Sequence, residues 1–235
     1  MVSHNRRDAT IHGGAQENKR MLELFAGTGS VGDVFRSRGW EVVSLDRDMR
    51  ADIQTDIMDW DYRQFPPGHF AFIWASPPCT EYSRAKTKGV RKIEEANAVT
   101  QRTLEIIDYL SPAHYAIENP QTGYLKNQPF MSNAGPFNDV DYCKYGFPYR
   151  KRTRLWNNIS QWCPRPLCCR DCLFMNGTRH KHTAQQGRHA SAESYEEDAR
   201  FDRTQLYRIP SELLEEIQDA MGGPLSHGRS RDVAV

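Results

Sequence analysis

The sequence lacks the two features that would direct the chain into a membrane or out of the cell. None of its 235 residues belongs to an apolar run of about 18, the length that a bilayer-spanning helix needs. The N-terminal stretch has no apolar segment of the kind found in secretory signals. We therefore expect an intracellular protein, cytoplasmic or nuclear and not secreted, that is monomeric and has no membrane partner. Its six cysteines are then more typical of metal binding or catalysis than of disulfides.

A strong net charge is also lacking, since the formal charge is only +1. The basic residues are unevenly distributed, however. Between Tyr142 and Ala190 the chain has ten lysines and arginines but a single acid, Asp171. Aromatic residues are interleaved with these cations. The segment favours a polyanion partner, although a solvated basic face would have the same composition.

Internal repeats are absent, and short apolar strands alternate with helical patterns from Met21 to Pro120. This alternation is typical of βαβ units and predicts an α/β fold with a mostly parallel sheet. Such sheets bind ligands at the carboxyl ends of their strands. Each predicted strand ends in residues that can bind ligands or do chemistry: Gly27-Thr28-Gly29, Asp46, Pro78-Cys79 and Glu118-Asn119.

The first strand ends in a glycine-rich loop with glycines at 27, 29 and 32. Glycines allow close approach of the backbone to a ligand, and the helix that follows offers free N–H groups to an anion. Asp46 follows the second strand and can accept hydrogen bonds from ribose hydroxyls, and Asp56 could face an adenine amino group. The motif predicts a nucleoside cofactor, but a tight turn without a ligand would look similar.

Cys79 follows two prolines at the end of the third strand, in the sequence SPPCTEYS. The prolines remove backbone donors that a core segment would use, so an exposed, reactive cysteine is favoured over a buried structural one. Glu118 directly follows another apolar strand, and a carboxylate in such a place is costly unless it is paired or used. Glu118 could equally be a surface or capping acid.

At these residues the chain resembles the DNA cytosine-5 methyltransferase family. The matching segments are LELFAGTGSVG, SPPCTEYS, ENP and YGFPYRKRTRLW, in the family's order, followed by a final helix in LYRIPSELLEEI. Four features depart from the family pattern: Glu23 replaces an aspartate, Arg150 replaces a glutamine, the recognition region is short, and QLYR replaces the usual glutamine-glycine-asparagine before the last helix. The resemblance implies a doubly wound, Rossmann-like S-adenosylmethionine methyltransferase sheet.

The resemblance also implies roles for individual residues. Cys79 would add to C6 of a flipped-out cytosine, Glu118 would contact its N3 edge, and Arg152 or Arg154 would hold its carbonyl or a phosphate. A helix N-terminus and a nearby arginine would favour the Cys79 thiolate. The S-adenosylmethionine site would comprise Phe25, Ala26, Gly27, Thr28, Gly29, Asp46, Arg47, Asp56, Ile57 and Pro77.

Double-stranded DNA is the expected substrate. Three alternatives remain open: an RNA (tRNA) cytosine-5 methyltransferase, a catalytically silent DNA-binding or regulatory family member, and an amino-group methyltransferase. The last normally has an aromatic residue where Cys79 stands.

Five segments are expected along the chain: a flexible tail (1–19), the catalytic core (20–156), a small irregular recognition module (157–204), a helix that returns to the core (205–221) and a second flexible tail (222–235). The module has few large aliphatic residues, so it can hardly form a core of its own. Structural zinc would help it to fold. The candidate ligands are Cys163, Cys168, Cys169, Cys172, His180 and His182.

Overall fold

The structure is a computed structural model that describes residues 18–184 and 203–222. Both predicted flexible tails lie outside these residues except at their innermost positions, and so does the part of the predicted module from 185 to 202. Within the described ranges, no helix is both long and apolar enough to cross a membrane.

The described chain contains nine strands and four α-helices, joined by four short 3-10 turns. The strands are β1 (Arg20–Leu24), β2 (Glu41–Asp46), β3 (Ile53–Gln54), β4 (Phe72–Ala75), β5 (His114–Pro120), β6 (Phe137–Asp141), β7 (Arg152–Asn157), β8 (Met175–Asn176) and β9 (Arg179–His180). The helices are α1 (Ser30–Ser37), α2 (Ile93–Leu110), α3 (Arg203–Tyr207) and α4 (Ser211–Gly222). The 3-10 turns are Tyr62–Gln64, Leu125–Asn127, Pro129–Ala134 and Tyr142–Tyr145.

Seven strands form one sheet in the order β3-β2-β1-β4-β5-β7-β6. The pairs from β3 to β5 are all parallel, whereas β7 runs antiparallel to both of its neighbours. The chain leaves β1 in one direction to form β2 and crosses to its other side to form β4. This reversal creates a crevice at the carboxyl ends of β1 and β4, where ligands bind in such folds. The predicted doubly wound, Rossmann-like α/β fold is confirmed.

Helices cover both faces of the sheet because the central strands are apolar on both sides. On β4, Phe72 and Trp74 belong to the core cluster beneath α1 and α4. The intervening Ile73 belongs to the opposite cluster, to which α2 contributes Ile106 and Leu110. The alternation of side chains along a strand distributes them between the two cores. The helix that follows the glycine-rich loop is α1, and the predicted final helix is α4.

The antiparallel end of the sheet contains a strand, β6, that the apolar pattern does not predict. Its sequence, FNDVD, is mostly polar, yet it pairs with β7 over its whole length. The register sets Asp139 opposite Arg154 and Asp141 opposite Arg152. Cross-strand pairs of opposite charge stabilise β6 where apolar burial is limited.

The chain beyond β7 has little regular structure before α3. Ile159 and Trp162 still pack into the main core, so the sheet's packing extends past residue 157. The two-residue strands β8 and β9 pair as a small hairpin. Arg165 then bonds Glu212 and Glu216 and attaches this segment to α4. The domain boundary at residue 157 stays a prediction.

Candidate active site

A cavity of about 420 Å³ opens at the carboxyl ends of β1, β2, β4 and β5. Its size lies within the usual range for sites that bind small molecules and cofactors. Ten of the predicted catalytic and cofactor residues line it: Phe25, Ala26, Gly27, Asp46, Arg47, Asp56, Ile57, Pro77, Cys79 and Glu118. Thr28 and Gly29 are not among the lining residues, although they lie within the same loop.

The loop after β1 has the backbone shape that its glycines predict. Gly27 and Gly29 have φ values of 55° and 72°, and Gly29 is the N-cap of α1. Phe25 also has a positive φ, 61°, which is uncommon for a bulky residue and places strain beside the cavity. Gly32 is a glycine for a different reason, because there is no room for a side chain: a Cβ at this position would lie only 2.5 Å from a carboxylate oxygen of Glu23.

Glu23 is almost fully buried near the end of β1 and lines the cavity. Its Oε2 accepts a hydrogen bond of 3.1 Å from the Gly32 N–H at the start of α1. Burial raises the pKa of Glu23 from 4.5 to about 8, and the bond from Gly32 only partly opposes this. Near neutral pH this carboxyl is therefore largely protonated.

Asp46 binds the loops that follow β1 and β2. Its Oδ2 accepts from the Gly27 N–H at 2.9 Å, and its Oδ1 accepts from the N–H groups of Asp48 and Met49 at 2.8 Å each. A carboxylate can accept about four hydrogen bonds, so some capacity remains for a ribose hydroxyl. Asp46 therefore organises the site in addition to its predicted contact with the cofactor.

The loop that carries Cys79 is attached to β5. The Nδ2 of Asn119 donates to the Pro77 carbonyl oxygen at 2.9 Å, and both atoms are buried. Burial and the Glu118 carboxylate raise the pKa of the Cys79 thiol, and Lys151 lowers it. The expectation that an arginine and a helix N-terminus favour the thiolate stays a prediction. The next helix begins only at Ile93, and the cation that acts on Cys79 is a lysine.

Glu118 lies in a small polar network on the cavity wall. Its Oε1 is 3.4 Å from the Tyr142 hydroxyl, which can donate to it, and 3.9 Å from the Lys151 Nζ. The Lys151 ammonium also donates to the Leu206 carbonyl at 3.1 Å and lies 5.0 Å from the centre of the Tyr142 ring. A thiol, a carboxyl and an ammonium therefore face one cavity.

Arg152 and Arg154 are engaged in ion pairs away from the lining residues. Arg152 binds Asp141 through two hydrogen bonds of 3.0 and 2.7 Å, and Arg154 binds Asp139 through two of 2.8 and 3.0 Å. Arg154 lies opposite Asn119 in the sheet register, so it shares that residue's face and not the face of Glu118. This placement differs from the expected contact with a base, which stays a prediction.

Lys151, Tyr207 and Ile209 line the cavity but were missed at the sequence level. Lys151 alternates with the arginines of RKRTR, so its position on the other face of the strand follows from strand periodicity. Tyr207 and Ile209 come from the end of α3 and the link to α4. The Ile209 N–H donates to the Ser30 hydroxyl at 3.1 Å, a contact between distant segments that no local pattern signals.

The predicted metal ligands separate into two groups. Cys168, Cys172 and His180 lie together with Cys143, a residue that the sequence interpretation left out. Cys163 and Cys169 are exposed and lie outside this group. His182 also lies outside it and forms an isolated bridge with Tyr149.

The basic segment from Tyr142 to Ala190 is less positive in the fold than in the sequence. Lys144 pairs with Asp171 inside the segment. Three arginines pair with acids from outside it: Arg152 with Asp141, Arg154 with Asp139, and Arg165 with both Glu212 and Glu216.

A second basic segment, residues 80–92, follows Cys79 directly. It contains one acid, Glu81, and five cations: Arg84, Lys86, Lys88, Arg91 and Lys92. Glu81 pairs with Lys86, and Arg91 donates to two backbone carbonyls within the same loop. Positive charge is thus concentrated beside Cys79.

The sheet, with a cavity at its switch point, defines the class of the protein as a Rossmann-like α/β protein with a candidate cofactor site. No family model matches the chain. Similar solved structures include the S. pombe Dnmt2 methyltransferase, at 14% identity and a TM-score of 0.42, over 59% of this chain and 48% of that one. Another is the Entamoeba histolytica methyltransferase EhMeth, at 16% identity and a TM-score of 0.45, over 60% of this chain and 53% of that one. The chain spans about half the length of these two structures.

A much more similar sequence comes from Frog virus 3 (isolate Goorha), in a protein named probable DNA (cytosine-5)-methyltransferase. It is 33% identical over 217 residues, which cover 85% of this chain and 99% of the viral protein. The chain belongs to the DNA (cytosine-5)-methyltransferase family.

Proposed function

We propose that the protein methylates carbon 5 of cytosine in DNA, with S-adenosylmethionine as the methyl donor and Cys79 as the covalent nucleophile. The observation that carries this proposal is the meeting of Cys79, Glu118 and the glycine-rich loop in one cavity. These residues come from three different strand ends. A purely structural cysteine would have no reason to face a nucleoside-sized cavity beside a carboxyl group.

The residues around the cavity suit S-adenosylmethionine. Gly27 and Ala26 present backbone at the end of β1, and Asp46 offers remaining acceptor capacity for ribose hydroxyls. The Ile57 side chain supplies an apolar wall, and the Asp56 carboxylate is within the lining. When bound, the cofactor supplies an electrophilic methyl group.

The chemistry of this chain's own residues begins at Cys79. Its sulfur forms a bond to C6 of cytosine, and the C5–C6 π electrons become available at C5, which is otherwise a poor nucleophile. Glu118 hydrogen-bonds the N3 edge and holds a proton there as charge develops on the ring. After methyl transfer the C5 proton is lost, the sulfur–C6 bond breaks and Cys79 is released.

Lys151 takes the place in this scheme that the resemblance suggested for an arginine. Its ammonium lowers the pKa of Cys79 and lies near Glu118, so it favours the thiolate that attacks C6. Arg152 and Arg154 act as positioning residues that hold β6 against β7 through their aspartates.

A DNA substrate is supported by the positive charge of residues 80–92 beside Cys79. Lysines and arginines next to a catalytic cleft bind phosphates and release counterions. C6 of cytosine is inaccessible in a duplex, so the target base must leave the stack and enter the cavity.

The test uses Cys79→Ser, with Cys163→Ser as the matched control because Cys163 is exposed and is not one of the lining residues. Cys79→Ser is expected to lose methyl transfer but retain S-adenosylmethionine binding, measured by calorimetry. Duplex DNA that contains 5-fluorocytosine should trap the unsubstituted enzyme as a covalent adduct, since fluorine cannot leave as a proton does. Full activity of Cys79→Ser would refute the assignment.

The same assay distinguishes the alternative functions. Duplex DNA and tRNA are offered in parallel, and bisulfite sequencing locates the methylated base. Transfer to tRNA alone would replace DNA with RNA as the substrate. Binding of DNA without any methylation would identify a silent family member.

A further inference from the structure

Four potential metal ligands converge between the catalytic sheet and the irregular segment that follows it. They are the thiols of Cys143, Cys168 and Cys172 and the imidazole of His180, and their donor atoms all lie within 4.8 Å of one another. Cys143 belongs to the 3-10 turn Tyr142–Tyr145 and His180 to β9. Residues from distant parts of the chain thus meet at one point, which we call the Cys3His cluster.

The separation of Cys168 and His180 in the Cys3His cluster matches that of two ligands in a tetrahedral zinc site. Zinc binds thiolates at about 2.3 Å and imidazole nitrogen at about 2.0–2.1 Å, so its sulfur and nitrogen ligands lie about 3.6 Å apart. The Sγ of Cys168 is 3.5 Å from the Nε2 of His180. Cys143 and Cys168 are buried, and Cys172 and His180 are half-buried.

We propose that the Cys3His cluster binds one structural zinc ion that attaches residues 163–184 to the catalytic sheet. Zinc with three thiolates and one imidazole is a closed site, with no open position for chemistry. The site is therefore distinct from the cavity that holds Cys79.

The composition of residues 163–184 supports a structural role for the ion. Their regular structure consists of β8 and β9, two residues each, and Leu167 and Leu173 are exposed. A segment with so few buried apolar groups gains little from hydrophobic burial, whereas metal binding contributes directly to folding.

The cluster is linked to the Glu118 wall of the cavity through Tyr142 and Asp141. Cys143 follows Tyr142, whose hydroxyl is 3.4 Å from Glu118. The Cys168 N–H donates at 3.0 Å to Asp141, the same carboxylate that binds Arg152. A zinc ion would thus fix the backbone on which this part of the catalytic wall depends.

The chain provides matched variants for a test. Cys172→Ser and His180→Ala each remove one half-buried ligand, whereas Cys169→Ser and Cys163→Ser remove exposed thiols outside the cluster. The full-length protein is purified without chelators, and its metal content is measured by mass spectrometry. We expect about one zinc per chain in the unsubstituted protein and in both control variants. Little or no zinc should remain in Cys172→Ser and His180→Ala.

Cobalt substitution provides a second measurement that does not depend on activity. Cobalt added to the metal-free protein should give the intense visible bands of tetrahedral thiolate coordination, and these bands should weaken in Cys172→Ser but not in Cys169→Ser. If Cys172→Ser does not fold, His180→Ala and the unsubstituted protein still decide the question.

Several results would overturn the proposal. They are a protein that neither contains zinc nor binds cobalt, a disulfide among Cys143, Cys168 and Cys172 on mapping of the native protein, an equal loss of zinc in the control variants, or iron in place of zinc. Because metal content is measured without a substrate, these outcomes are independent of the proposed methyl transfer.

Discussion

The buried carboxyl of Glu23 makes the stability of the protein depend on pH in a way that one substitution can remove. Its side chain is 1% exposed, and burial raises its pKa from 4.5 to about 8. Glutamine has nearly the same shape, and its Oε1 can accept the bond that Gly32 donates. Glu23→Gln therefore resembles the protonated carboxyl at every pH.

The direction in which the free energy of unfolding changes with pH follows from the number of protons that the folded and unfolded states bind. Between pH 4.5 and 8 the folded protein keeps a proton on Glu23 that the unfolded chain releases. The free energy of unfolding therefore falls as the pH rises, by up to about 1.4 kcal/mol per pH unit. The stability that Glu23 contributes to the folded state is fully present below pH 4.5 and is lost as the pH rises through 8. Between pH 5 and 8.5 the loss amounts to about 3–4 kcal/mol.

The assay is urea unfolding followed by tryptophan fluorescence at pH 5 and pH 8.5. Glu23→Gln should lack the contribution of Glu23, so its free energy of unfolding relative to the unsubstituted protein should rise by about 3–4 kcal/mol from pH 5 to pH 8.5. Glu41→Gln is the control, since Glu41 is exposed on the neighbouring strand β2. If the free energy of unfolding of Glu23→Gln differed from that of the unsubstituted protein by the same amount at both pH values, the reasoning would be refuted.

Three further predictions concern the active site and its partner. Lys151→Gln should raise the pKa of Cys79 further, so methyl transfer near pH 7 should fall and recover at higher pH. A pH–rate profile tests this, with Lys126→Gln as the control, and a uniform loss at all pH values would contradict it. Asp46→Ala should weaken S-adenosylmethionine binding by about 1.5–3 kcal/mol in calorimetry, because it removes a charged acceptor and also frees the Gly27 N–H. An unchanged affinity would assign the ribose contact to another acid. DNA affinity should fall steeply with salt as phosphate counterions are released, and a flat plot of log K against log salt would exclude a phosphate-binding role for the basic segments.

The sheet and the position of the cavity could be predicted from the sequence because their signals are local. Apolar runs end in Gly27, Asp46, Cys79 and Glu118, and parallel strands bring their carboxyl ends to one edge. Glycines and prolines mark those ends through their own backbone preferences. No partner far along the chain is needed to recognise these features.

Only the tertiary structure determines which charged residues pair and which potential metal ligands come together. Arg152 and Arg154 bind aspartates of β6, a polar strand that no apolar periodicity indicates, and this leaves Lys151 beside Glu118. An ion pair depends on the residue that lies opposite in the sheet, and that register is a property of the whole fold.

The predicted metal ligands differ from those that converge for the same reason, because contacts between distant segments depend on the whole fold. Sequence spacing alone grouped Cys163, Cys168, Cys169 and Cys172. In the fold Cys163 and Cys169 are exposed, and Cys143, from the chain before β7, joins Cys168 and Cys172. Sequence spacing can identify ligands that share a loop. A ligand from a distant segment becomes visible only when the packing of the sheet sets the distance between the two segments.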